Sequence, residues 1–113
     1  MASRGDTMVI GLGRFGLAVA ETLVALGHEV LGVDRDPLVV QGCASTLTQV
    51  VQADGTDAET LRQLGAADFA SALVAVGTDV ESSILATYAL VDLGVPRIWA
   101  KAITDPHGAI LGA

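Results

Sequence analysis

The stretch Met8-Val-Ile-Gly-Leu-Gly-Arg-Phe-Gly16 decides how the chain is read. Three apolar residues of strand character, Met8 to Ile10, run into Gly11, Gly13 and Gly16, and a helical pattern follows at once. That is G-x-G-x-x-G in the setting that gives it meaning: strand, tight turn, helix. Gly11 permits the sharp turn, Gly13 lets the backbone approach a pyrophosphate, and Gly16 lets the helix lie close to the strand. The N–H groups of the first helical turn have no partners within the helix and carry the positive end of its dipole, which favours an anion. The whole loop, with Leu12, Arg14 and Phe15, is the expected phosphate seat. The next strand outward, His28-Glu-Val-Leu-Gly-Val-Asp34, closes on an acid. That acid falls near the roughly 20-residue spacing at which a carboxylate meets a ribose hydroxyl.

The rest of the composition suits such a site. Thirteen acidic residues against six basic ones give a net charge of −7 over 113 residues. Bulk nucleic-acid or anionic-membrane binding is excluded, because both partners want a positive surface. The single Cys, Cys43, suits a reducing cytosol and reads as an inert small hydrophobe. No apolar run reaches the roughly 18 residues of a membrane span. Residues 1–7 read as a polar leader and 8–113 as one nucleotide-binding domain.

Phe15, Val19, Leu23 and Leu26 form one helical stripe that Gly27 ends. Asp36-Pro37 starts a short second helix to about Ala44. Thr48 to Ala53 is the third strand, and Thr56 or Asp57 caps a helix through Leu64. Ala72-Leu-Val-Ala-Val76 has no alternation and reads as a strand buried on both faces. A helix bearing Ile84, Leu85, Tyr88, Ala89 and Val91 runs to Gly94, the fifth strand is Arg97 to Lys101, and Asp105-Pro106 opens a last helical segment. Strands alternating with helices specify an α/β, Rossmann-like, doubly wound parallel sheet with right-handed crossovers, in strand order 3-2-1-4-5. The ligand then sits at the C-terminal ends of the strands, beside strand one.

Polar residues gather at those ends. A carboxylate at Asp34 repels a 2′-phosphate, so NAD(H), ATP, ADP or AMP is preferred over NADP. Arg35 is read as flanking the adenine or as a plain surface arginine. Arg14, inside the loop, suits bidentate phosphate contact. Strand four ends at Gly77 and Thr78, which are read with Asp79 as lining the pocket toward the second half of a dinucleotide, or Thr78 or Asp79 caps the next helix. Lys101 adds positive charge near the phosphates or is an exposed strand-end lysine. His28 reads as a turn residue, and His107 has no neighbours at metal-ligand spacing. Mg²⁺ can still accompany ATP, since it needs only one or two carboxylates plus phosphates.

Gly11-Leu-Gly-Arg-Phe-Gly16, Gly27-His28-Glu-Val, Val33-Asp34, Asp54-Gly55 and Ile98-Trp-Ala-Lys101 together resemble the nucleotide-binding lobe of RCK domains. These regulators of potassium conductance, also called TrkA-N domains, are cytosolic gating subunits of Trk/Ktr-type potassium uptake systems. The resemblance runs from about residue 8 to 112 and implies adenine contact at Asp54 and Gly55. It also implies that Arg14 reaches the terminal phosphate of a nucleotide on a neighbouring subunit. It implies a homodimer or larger ring, with the Tyr88/Val91 helix and Ala109 to Leu111 as contact surfaces. A membrane potassium transporter or channel is the implied partner, met at the inner face of the cell membrane. Members usually add a sixth strand, a crossover helix and a small lobe, so the sixth strand is expected to be missing here.

No residue stands as a catalytic acid, base or nucleophile, and no metal site is expected. The reading is a nucleotide sensor and not an enzyme. The alternative is the cofactor half of an NAD-dependent oxidoreductase, which would need a second region to present substrate.

Overall fold

The computed structural model of the protein describes residues 6–76, 79–101 and 110–112. Four parallel strands and their crossovers build the centre of the sheet: β1 (Thr7–Ile10), β2 (Val30–Asp34), β3 (Gln49–Gln52) and β4 (Ser71–Val74). With β5 (Arg97–Lys101) and β6 (Ile110–Gly112) they form one six-stranded sheet in the order β3-β2-β1-β4-β5-β6. Strands one to five are parallel, in the expected order 3-2-1-4-5. In register, Ile10 stands opposite Val33 on one side and Val74 on the other, so the ends of β1, β2 and β4 are level.

The helices are α1 (Arg14–Ala25), α2 (Pro37–Cys43), α3 (Ala58–Gln63) and α4 (Val80–Asp92), with a 3-10 turn at Ala66–Asp68. Side chains alternate across the strands and fill two cores. Met8, Ile10, Leu31, Val33, Ala72 and Val74 point to the α3/α4 side, where Leu61, Ala86 and Leu90 meet them. Val9, Val30 and Leu73 point to the other, where Ala20 and Cys43 lie. Met8, Leu61 and Leu90 are fully buried, so cutting any of them to Ala costs about 2–5 kcal/mol.

Local chemistry sets the boundaries. Asp36 caps α2, its carboxylate accepting from the Leu38 amide, with Pro37 at the first helical position. Gly27 and Gly94 take positive φ just past α1 and α4 and end them. Leu26, expected on the buried stripe, is 70% exposed, because α1 has already ended at Ala25. Thr7, expected in the leader, is the first residue of β1 and is buried. The fourth strand is shifted to Ser71–Val74, and Ala75 and Val76 already belong to the turn above it.

Two further differences matter for the surface. The sixth strand is present: β6 pairs antiparallel with β5, Lys101 opposite Ile110. An antiparallel return needs only a short connection, whereas a parallel strand needs a crossover of a dozen or more residues. The helical segment expected from Asp105-Pro106, together with His107 and Ala109, lies outside the described residues. The second difference concerns α4, which turns its small residues Ser83, Ala86 and Ala89 inward with Leu90. Its outer face is apolar: Val80, Ile84, Tyr88 and Val91, at helical spacing, are all exposed, Tyr88 at 72%. Among the described residues no helix is long and apolar enough to cross a membrane.

Candidate functional site

The glycine turn works because two of its members have no room for a side chain. Gly11 has φ +97°, and a Cβ there would stand 2.2 Å from the Ala75 carbonyl oxygen. A Cβ on Gly16 would stand 1.9 Å from the Gly11 carbonyl oxygen. So Gly11 presses β1's exit against β4's, and Gly16 lets α1 dock on the turn. Gly13 is different: a Cβ there meets nothing within 4 Å and would face open space. It is the N-cap of α1, offers no side-chain cap, and no acid stands in the first turn. The first-turn amides are left to an external acceptor.

Those amides open onto a cleft of about 400 Å³ above the strand ends. Gly11, Gly13, Arg14, Phe15, Asp34, Arg35, Asp54, Gly55, Asp79 and Lys101 all line it. Leu12 and Gly16 do not. Leu12 is buried and turns its side chain onto Gly32, contributing only its amide, which donates to Asp34 Oδ2 at 2.9 Å. Gly16 lies beneath the turn. Gly77 and Thr78 lie outside the described residues. The walls also contain Ile10, Val33, Ala53, Thr56, Ala75, Val76 and Ser82, which the motif reading passed over as site residues. Ile10 ends a strand, Val33 stands one residue before the end of one, and Ala53, Ala75 and Val76 follow one within two residues, so nearness to a strand end is the signal that could have found them.

The three carboxylates are used differently. Asp34 accepts from the Leu12 amide on Oδ2 and from the Asp36 amide on Oδ1, both at 2.9 Å. A carboxylate has about four acceptor positions, so this leaves capacity for two ribose hydroxyls. Asp54 accepts twice on Oδ1, from the Thr56 amide at 2.9 Å and the Thr56 hydroxyl at 2.6 Å. These two bonds, the hydroxyl first, hold its carboxyl below the ordinary carboxylate value. Among the described residues no hydrogen bond to Oδ2 is found, so it can accept from an amine. Gly55 beside it is buried, and a Cβ there would stand 2.4 Å from Ile10 Cγ2. Asp79 is the N-cap of α4: its oxygens take the Ser82 hydroxyl at 2.6 Å and the Ser82 amide at 3.2 Å, which lower its pKa.

The cations form the rest of the wall. Arg14 and Arg35 are exposed, and no ion pair at either is found among the described residues. Lys101 is half-buried, its Nζ lying 4.8 Å from the centre of the Phe15 ring. His28 is a turn residue whose amide donates to the Leu23 carbonyl. Cys43 is buried, and burial pushes its thiol pKa up, which makes it unreactive. Among the described residues no group of three His, Cys, Asp or Glu could hold a metal ion.

The TrkA-N domain model matches residues 7–113. The chain belongs to the TrkA-N family. Its sequence is 41% identical to the Ktr system potassium uptake protein A of Bacillus subtilis over 103 residues, 91% of this chain and 46% of that protein. The chain thus spans about half the length of the curated relatives it matches. In fold it is similar to the NAD(P)-binding domain of an exopolyphosphatase-related protein from Archaeoglobus fulgidus (TM-score 0.76, 25% identity, covering 89% of this chain and 74% of that one). It is also similar in fold to the GsuK channel bound to NAD (TM-score 0.76, 18% identity, 93% of this chain and 19% of that one). Both share the layout that puts this TrkA-N cleft at the strand ends.

Proposed function

We propose that this TrkA-N domain is the nucleotide-sensing part of a potassium uptake or channel system and carries out no catalysis itself. The observation that carries the reading is the convergence of the free first-turn amides of α1 and the Asp34 carboxylate on one cleft, in a chain so similar to Ktr proteins. An adenine nucleotide with a free 2′-hydroxyl, NAD(H) or ATP/ADP, fits the donor set. Its phosphates lie on the loop of Gly11 to Gly16, its ribose on Asp34, and its exocyclic amine on Asp54 Oδ2 above Gly55. Arg35 flanks the adenine. Mg²⁺ bound with ATP would draw its ligands chiefly from the phosphates.

Signalling follows from linkage. A ligand shifts the balance between two arrangements of an assembly only by its difference in affinity for them. Arg14, exposed and without an ion-pair partner among the described residues, supplies that difference by reaching a neighbouring subunit's terminal phosphate. The apolar outer face of α4 is the seam of the homodimer or ring. The partner is a membrane potassium transporter or channel, which places the domain in the cytoplasm at the inner membrane face. The domain is taken from β1 onward, residues 7–113.

A thermal-shift panel of ATP, ADP, AMP, NAD⁺, NADH and NADPH tests this. A ligand at 100 times its dissociation constant stabilises by about 2.7 kcal/mol. The expected result is stabilisation by at least one nucleotide with a free 2′-hydroxyl and none by NADPH. No stabilisation by any of the six would refute the site.

A further inference from the structure

One contact in the cleft joins two elements that are not neighbours in the sheet. Phe15 stands in the first turn of α1, which follows β1, while Lys101 ends β5, and β4 lies between β1 and β5. Yet the Lys101 ammonium rests 4.8 Å from the Phe15 ring centre, and both line the cleft. Among the described residues no carboxylate lies within ion-pair distance of Lys101, so the ring is the partner that holds its charge.

We propose that Phe15 and Lys101 form a latch that reads phosphate. This rests on the adenine-nucleotide reading of the cleft. In the empty cleft the ring keeps the ammonium beside the phosphate seat. A ligand with a longer phosphate chain draws it off the ring into a charge-assisted contact. A cation over an aromatic face at a half-exposed site is held weakly, and an ammonium bonded to a phosphate oxygen is held more strongly. The exchange is therefore favourable only when a phosphate oxygen comes within reach of the flexible lysine stem. Phe15 then has a role its position in the loop does not suggest. By competing for Lys101 it lowers affinity for ligands whose phosphates reach the lysine, so Lys101 supplies the dependence on phosphate length and the ring tempers it.

The test compares ATP with AMP by titration calorimetry on the whole chain, in wild type, Lys101→Met, Phe15→Leu and the double variant. Lys101→Met should lower the ATP-to-AMP affinity ratio about tenfold, as loss of one charge-assisted contact implies. Phe15→Leu, which removes the competing ring, should raise that ratio about threefold. The double variant should match Lys101→Met, since without the ammonium the ring has nothing to hold. The second readout needs no variant. The Lys101 ε-methylene protons, shifted upfield by the ring in the free protein, should lose that shift with saturating ATP and keep it with AMP. An affinity ratio in Lys101→Met within about twofold of wild type, or an ε-proton shift that ATP leaves unchanged, overturns the latch. If wild type binds both nucleotides and only these readouts fail, the latch alone falls. If wild type binds neither, the nucleotide reading falls and takes the latch with it.

Discussion

Substituting the three loop glycines one at a time separates what each does for folding from what it does for a ligand. Gly13 has φ −72°, a value any residue adopts, and a Cβ there meets nothing within 4 Å. Two small effects act on Gly13→Ala. Lower entropy of the unfolded chain stabilises by about 0.4–1 kcal/mol, and a poorer N-cap costs about as much. The expected net change is within about 1 kcal/mol, or about 4 °C in melting temperature. Gly16→Ala would place a methyl 1.9 Å from the Gly11 carbonyl oxygen, a backbone atom that cannot turn aside. Overpacking of that kind costs about 3 kcal/mol or more. Gly11→Ala adds strain at φ +97° to a 2.2 Å clash and should be at least as costly. Urea unfolding orders the three. The same Gly13→Ala protein, folded, should bind ATP or NADH at least about tenfold more weakly, because its methyl stands where a pyrophosphate must approach. If it folds like wild type and also binds like wild type, the phosphates do not lie on this loop.

Four other perturbations probe the remaining groups. Asp34→Ala removes the acceptor of the buried Leu12 amide and should cost about 1–3 kcal/mol in urea unfolding even without ligand, besides abolishing nucleotide stabilisation. Thr56→Val removes the hydroxyl that most lowers the Asp54 carboxyl below its ordinary value of 3.8. Because the folded value lies below the unfolded one, that contribution is complete above about pH 4 and is lost as pH falls through the folded value. The variant should therefore be less stable than wild type at pH 7, with the difference shrinking toward pH 3. In Arg14→Ala, ATP and ADP should bind with more nearly equal affinity than in wild type, by about tenfold for one lost bidentate contact; an unchanged ratio removes Arg14 from phosphate reading. Tyr88→Glu, at a position 72% exposed, should change stability by no more than about 0.5 kcal/mol. It should leave a monomer in sedimentation experiments in which wild type is a dimer or larger.

The parts of the fold that could be read in advance are those where one residue type has one physical job. Gly11 with its positive φ, the Asp36-Pro37 start of α2, and Gly27 and Gly94 past α1 and α4 each leave a local mark that distant packing does not change. The alternation-free run Ala72 to Val76 likewise marked its strand as buried. What escaped depends on where elements lie relative to one another. On α4 both faces are apolar, so periodicity gives a helix without saying that Ala86, Ala89 and Leu90 go inward while Ile84 and Tyr88 go out. The antiparallel β6 is three residues long and has no pattern of its own; its pairing is decided by the free edge of β5. In the site, the motif named the charged rim but not Ile10 and Val33, because nothing in the sequence separates an apolar residue that walls a cleft from one that fills the core. Lys101 was read only as a charge. Its place over Phe15 is a contact between residues 86 positions apart, which no local spacing encodes.

The net charge of −7 raises the question of how such a chain could favour a polyphosphate. The answer depends on how each acid is used rather than on how many there are. Three carboxylates and three cations face the cleft. Every carboxylate already accepts protein hydrogen bonds: Asp34 from two amides, Asp54 from Thr56, Asp79 from Ser82. Much of their charge is directed into those donors. Arg14 and Arg35 have no ion pair among the described residues, Lys101 has only a ring, and no acid stands in the first turn of α1. Fields from the remaining acids are screened over a Debye length of about 8 Å at physiological salt. At the loop itself, the helix end and the three cations therefore outweigh the distant excess of acids. An acidic surface disfavours nucleic acid and is compatible with a cleft that admits a small phosphate ligand.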